Sequence, residues 1–265
     1  MKNELISKGF KEVKENEKWE LDEKGKYFVQ KNDSAIIAFE IGSNEIENKG
    51  FRIVGAHVDS PCFKIKPYSE MISENSYIKL NTEVYGGVIL SSWFDRTLSI
   101  AGRVFLKDSN SMYPKVELID LKRPVLIIPN LAIHFNRDIN EGHDYNRQNE
   151  LLPVLGFIND KLNRFEYVTS MLCDKLRIDE TEIVDYELYL YDTSKGNTVG
   201  FNDDFLSIGK LDDLWMVHAG LNGIFRSDEN NSTKVIAFLN NEEVGSGIAE
   251  GADSLFLHNT LKRIC

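Results

Sequence analysis

The sequence predicts an α/β chain in which a domain of strands and helices is interrupted by a β-rich insertion. Three observations carry that prediction. The run Val235-Ile236-Ala237-Phe238-Leu239 is β-branched and aliphatic, reads as a buried strand, and stops at two asparagines. Leu214, Val217, His218 and Leu221 recur at i, i+3, i+4, i+7, which predicts a helix with that stripe turned inward. From about residue 73 the pattern changes to short strands and tight glycine turns, and residues 193–203, rich in Gly, Asn and Thr, lead out again. The layout expected is one domain from residues 1–72 and 206–265, with 73–205 inserted into it.

The remaining elements follow in order. Residues 1–20 read as a charged helix with Leu5, Phe10 and Val13 inward. Residues 26–30 and 35–41 read as a hairpin around Lys31-Asn32-Asp33-Ser34, because Asn and Asp favour turns. A short strand is expected over 52–56, and further strands over 76–84, 99–106, 116–120, 125–128 and 183–192. Residues 136–149 form a polar loop too long for a plain connector. Residues 159–173 read as a helix, with Leu162, Phe165, Val168, Met171 and Leu172 near helical spacing.

Composition narrows the possible partners. The 265 residues are 42% hydrophobic and 28% charged, enough for a real core. A net charge of −11 without a dense Lys/Arg block argues against nucleic acid or an anionic membrane surface. No apolar run is long enough for a membrane helix, and the charged N-terminus lacks a signal-peptide core. Cys62, Cys173 and Cys265 are scattered without disulfide or metal spacing, so a reducing cytoplasm is expected.

Chemistry concentrates at the ends of predicted elements. The strand at 235–239 delivers Glu242 and Glu243, and ligands bind beyond the carboxyl ends of strands in open α/β sheets. Adjacent glutamates there can hold a cation and move a proton; alone, the pair also reads as a solvated acidic turn. The strand at 52–56 ends in His57-Val58-Asp59, whose two polar side chains point the same way along extended chain. A carboxylate so placed can accept a ring N–H and orient the imidazole as a metal ligand, although an isolated His-x-Asp is often incidental. Asp212 or Asp213 falls at a helix start, where a carboxylate is favoured simply as a cap. His218 is expected to be packed or hydrogen-bonded rather than catalytic. Together these groups offer what a dinuclear zinc hydrolase needs: an imidazole, bridging and terminal carboxylates, and a free carboxylate as base.

In the segments GAHVDSPCFKIKP, YGG…SSWFDRTLSIAGRV, IPNLAIHFNRDIN, GKLDD and NNEEVGSGIAEGADS the chain resembles the aspartyl aminopeptidase and aminopeptidase I family of zinc exopeptidases. The resemblance implies a zinc-exopeptidase-like mixed sheet flanked by helices, with an inserted β-rich domain for dimerisation and assembly into large hollow homo-oligomers. It also implies a zinc-dependent aminopeptidase with two zinc ions, which removes N-terminal residues from peptides. His57 would bind one zinc with Asp59 orienting it, Asp212 would bridge, Glu243 would bind the second zinc, and Glu242 would be the general base. His134, from the insert of a neighbouring subunit, would lie close to substrate; read by itself it is a turn or core histidine. Trp93-Phe94-Asp95-Arg96 resembles a segment of the family's inserted domain, so a part in architecture and assembly is expected of it.

One departure bears on activity. The family design uses a further Asp and a final His ligand beyond the point where this chain ends, and neither has a matching position. His258 lies too soon after the glutamates to be that histidine. Each zinc is then expected to keep a pair of protein ligands, His57 with Asp212 or Glu243 with Asp212, where about three are usual. The sheet is expected to expose an edge and apolar surface. The alternative expectation is therefore a catalytically dead or partner-dependent fragment acting as an assembly module.

Overall fold

A computed structural model describes residues 1–42, 50–109, 112–158, 167–228 and 231–265. The chain divides into two compact units, Met1–Ser60 with Lys210–Cys265, and Pro61–Gly209.

The first unit is built on a five-stranded mixed sheet. Its strands are β1 (Lys11–Glu12), β2 (Lys26–Lys31), β3 (Ala35–Glu40), β4 (Phe51–His57) and β13 (Thr233–Leu239), in the order β1-β2-β3-β13-β4. β13 is antiparallel to β3 but parallel to β4, and Leu239 stands opposite His57. Every residue of β13 is buried, as a strand covered on both faces must be. Val235, Ala237 and Leu239 point into one apolar cluster, completed by Phe39, Phe256 and Ile264. Ile236 and Phe238 point into the other, with Leu5, Val217, Leu221 and Ile224. Burying a side chain such as Phe238 contributes roughly 1.5–3 kcal/mol, so the alternation itself locks the register. Three helices supply the covers: α1 (Lys2–Ser7), α3 (Leu211–Arg226) and α4 (Phe256–Ile264). α4 is pinned to the N-terminal segment by Arg263, which donates to the carbonyls of Glu15 and Glu17 and stacks on Trp19 at 4.0 Å.

The second unit carries a six-stranded antiparallel sheet. Its members are β5 (Cys62–Ser73), β6 (Tyr77–Tyr85), β7 (Leu98–Leu106), β8 (Lys115–Asp120), β9 (Val154–Phe157) and β10 (Ile183–Asp192), in the order β8-β7-β10-β5-β6-β9. Helix α2 (Tyr167–Leu176) buries Val168 and Leu172, and the Glu70 carboxylate accepts from the Val168 N–H at its start. Gly102 lets β7 approach β10 closely, since a Cβ there would overlap the Glu187 carbonyl oxygen. A separate hairpin joins β11 (Asn197–Val199) to β12 (Phe205–Ser207).

Several expectations are corrected. The N-terminal helix ends at Ser7, because Gly9 takes a left-handed conformation (φ 83) and the chain then extends into β1 beside β2. Leu5 and Phe10 are nonetheless buried. The strand expected at 125–128 reduces to single bridges, because Leu126 faces Leu98 while Ile127 faces Val154. The inward face of α3 is Val217, Gly220, Leu221 and Ile224, which leaves Leu214 and His218 exposed. His218 is held by the Asn222 side-chain amide instead. Part of residues 193–203 forms the β11–β12 hairpin, turned through Gly200 (φ 110) and Asp203 (φ 56). Of the helix expected over 159–173, residues 159–166 lie outside the described residues.

Candidate metal centre

The site forms where two parallel strands end side by side. Because Leu239 pairs with His57, the segments leaving β13 and β4 emerge together. Val58 N–H donates to the Leu239 carbonyl at 2.9 Å, which extends the pairing by one step before the strands part. Beyond β13, Asn241 turns left-handed (φ 61) and starts a single 3-10 turn, Glu242–Val244, closed by Gly245 (φ 97). This turn lifts both glutamates off the sheet end.

Asp59 ties the two strand ends together. Its Oδ1 accepts from the Glu242 N–H and its Oδ2 from the Glu243 N–H, both at 3.2 Å. Its side chain is only 8% exposed. The same carboxylate lies 3.4 Å from His57 Nδ1, and the Asp59 carbonyl lies 3.1 Å from that nitrogen. On the other side of the ring, Nε2 meets Asp212 Oδ1 at 3.1 Å and Glu242 Oε2 at 3.8 Å. α3 delivers Asp212 in its irregular first turn, across a cis Asp212–Asp213 peptide. Ser60 Oγ donates to the Asp212 carbonyl at 3.2 Å.

Among the described residues, His57, Glu242 and Glu243 each offer a donor atom such that all lie within 4.8 Å of one another. Asp212 is outside that group, and its side chain is 86% exposed. His258 is exposed on α4 and takes no part in the group. His134 lies in the other unit, in a short 3-10 turn (Ile133–Phe135), and is exposed.

The electrostatics call for a cation. Burial raises the Glu243 pKa above the ordinary carboxylate value, and the neighbouring Glu242 charge raises it further. Burial alone would lower the His57 pKa, but the Asp212 hydrogen bond and the charges of Asp59, Glu242 and Asp213 outweigh it and raise it. Both ring nitrogens of His57 face oxygen acceptors. If Nδ1 donates its proton to Asp59, the Nε2 lone pair confronts carboxylates, which is favourable only with a proton or metal ion between them. One imidazole among carboxylate oxygens is a donor set that suits zinc.

Asp213, expected only as a possible helix cap, accepts through Oδ2 from the His57 backbone N–H at 3.2 Å and so tethers α3 to the end of β4. Nothing in the residue order signals this, because either aspartate serves equally well as a helix cap.

A mixed sheet whose adjacent parallel strands end in an imidazole and paired carboxylates has the architecture of the zinc exopeptidases. The chain matches the Aminopeptidase I zinc metalloprotease (M18) family across residues 1–265 and belongs to it. The probable M18 family aminopeptidase 2 of Clostridium acetobutylicum is 53% identical over 264 residues, covering 100% of this chain and 61% of that protein. Aspartyl aminopeptidase 4 of Saccharomyces cerevisiae is 39% identical, covering 100% of this chain and 60% of its own length. A chain of the Ape4–Nbr1 complex, solved by cryo-electron microscopy, superposes with a TM-score of 0.90 at 33% identity, covering 100% of this chain and 55% of that one. Chaetomium thermophilum mApe1 gives 0.88 at 30%, covering 99% and 62%. The chain thus spans about three-fifths of the length of these curated relatives. Among the described residues no helix is long and apolar enough to cross a membrane.

Proposed function

We propose that the chain carries the zinc site of an aminopeptidase that removes N-terminal residues from peptides. The observation that carries this reading is the convergence of His57, Glu242 and Glu243 within 4.8 Å at the ends of paired parallel strands, in a member of a zinc metalloprotease family. His57, Asp212 and Glu243 would hold zinc, two ions in the full design. Zinc bound there would polarise the scissile carbonyl and bring the pKa of an attacking water toward ~7.

The protein groups divide the remaining work. Glu242, with a half-exposed carboxylate, is free to accept the proton of the attacking water and return it to the leaving amine. Asp59 acts through its neighbours: by accepting from both glutamate N–H groups it fixes the turn that presents them, and it faces Nδ1 so that Nε2 is the ligating atom. Asp213 holds the start of α3, and with it Asp212, against β4. His134 would contact substrate at the site of a neighbouring copy, and the insert at residues 73–205 would be the self-associating part. The scattered cysteines favour a cytoplasmic setting.

The test is release of the N-terminal residue from short unblocked peptides by the zinc-loaded chain. Activity lost on chelation, restored by zinc and reduced by about 10²–10⁴-fold in Glu242→Gln supports the reading. Equal turnover by wild type and Glu242→Gln would sink it.

A further inference from the structure

The segment Trp93-Phe94-Asp95 has no task in the zinc chemistry, yet the structure ties it to both ends of the loop that carries His134. Asp95 adopts a left-handed conformation (φ 57) and directs both carboxylate oxygens at one residue. The Asn130 N–H donates to Oδ1 at 3.0 Å, and the Asn130 side-chain amide donates to Oδ2 at 2.9 Å. The Asp95 N–H donates in turn to the Ile128 carbonyl at 2.9 Å. Asn130 lies near the start of the exposed run 129–135, with His134 near its end.

Phe94 meets the far end of the same loop. Its ring lies 5.1 Å from that of Tyr145, at 35°. Tyr145 sits edge-on to His143 at 4.9 Å, and His143 Nε2 meets Glu150 Oε1 at 2.7 Å. The other Glu150 oxygen accepts from the Asn146 N–H at 2.6 Å. Trp93 completes the set by packing edge-on against buried Phe63 of β5, with ring centroids 5.0 Å apart. Three consecutive residues therefore grip the sheet, the end of the loop and its beginning.

The physical consequence concerns aim. An exposed side chain such as His134 has less packing around it to fix its direction, so the backbone beneath must do more. Closing a loop from residue 130 to residue 145 also costs entropy that grows with loop length, and contacts at its two ends offset that cost. We propose that Phe94 and Asp95 are positioning residues for His134, clamping the loop that presents it to substrate. This rests on the reading of His134 as a substrate-contacting residue, and Asp95 does not itself touch substrate.

The test compares Asp95→Ala, Asn130→Ala, their double variant, Asp95→Asn and His134→Ala in the peptide assay. Hydrogen exchange over residues 131–136 and thermal unfolding are measured on the same proteins. Asp95→Ala and Asn130→Ala should each lower kcat/KM by about 10–100-fold, mainly through KM, and His134→Ala should do the same. The double variant should be no worse than either single change, because one interaction is lost in each case. Asp95→Asn should recover part of the activity, since its amide oxygen can still accept from the Asn130 N–H. Exchange over 131–136 should accelerate with little change in Tm.

Unchanged exchange and KM in Asp95→Ala would overturn the proposal, as would a fall in Tm with KM unaltered. Should His134→Ala leave kcat and KM as in wild type, the reading of His134 falls and the proposal with it. An effect of His134→Ala without one of Asp95→Ala refutes the clamp alone.

Discussion

Asp59 is the residue on which the candidate site depends most closely without being a ligand. It accepts from the N–H groups of Glu242 and Glu243 and faces His57, so one buried carboxylate sets the positions of the paired glutamates and the histidine ring. Orienting partners of this kind are commonly worth 10–100-fold in metal affinity. Asp59→Ala should therefore weaken zinc binding by about that factor, read by competition with a chromogenic chelator, while far-ultraviolet circular dichroism stays as in wild type. Unaltered affinity would mean that the glutamate turn and the imidazole orient themselves. At this scale the sequence was partly legible. His57, Asp59, Glu242 and Glu243 could be picked out because each lies at or within a few residues of the end of a strand. Their convergence with Asp212, 155 residues from His57, depends on strand pairing that no local pattern encodes. The exposure of His218 was missed for a related reason: the apolar stripe on α3 can be drawn through either Leu214 and His218 or Gly220 and Ile224, and tertiary packing chose the second.

Among the elements, the paired strands β7 and β10 show how charge is used inside the sheet of the second unit. Glu187 on β10 bonds Arg103 on β7 at 2.7 Å and lies 3.4 Å from Lys64 on β5. Burial by itself would raise the Glu187 pKa, but Arg103 and then Lys64 more than offset it and hold the value below the ordinary 4.5. A depressed folded-state pKa means that the stabilisation is present above the unfolded value and is lost as pH falls through the folded one. Glu187→Gln should thus be less stable than wild type near neutral pH, with the gap closing on acidification below about pH 4.5. Denaturant titrations at a series of pH values read this directly, and a gap independent of pH would contradict it. Strands such as 183–192 were legible because alternation survives on a sheet with unlike faces. The short helix α1 was not, since Leu5, Phe10 and Val13 fit a helical stripe even though Gly9 ends the helix between them.

For the whole molecule, the candidate metal site and the most exposed aromatic side chains fall in different units. The first holds the cluster at the ends of β4 and β13, and the second exposes large apolar side chains, including Phe135 at 79% and Phe201 at 102%. Exposed aromatic residues of this size favour association in a protein whose net charge of −11 otherwise keeps copies apart. Sedimentation velocity should show concentration-dependent species heavier than the monomer, diminished by Phe201→Ser; a monomer at every concentration would refute self-association. A separate question is whether zinc binds at the ends of β4 and β13, as proposed. Calorimetric titration of the metal-stripped chain with zinc tests it most directly. Saturable binding in wild type, weakened at least about tenfold in both His57→Ala and Glu243→Gln, is the result predicted, each removing one ligand. Isotherms for the two variants that superimpose on wild type would show that the metal binds elsewhere and contradict the account.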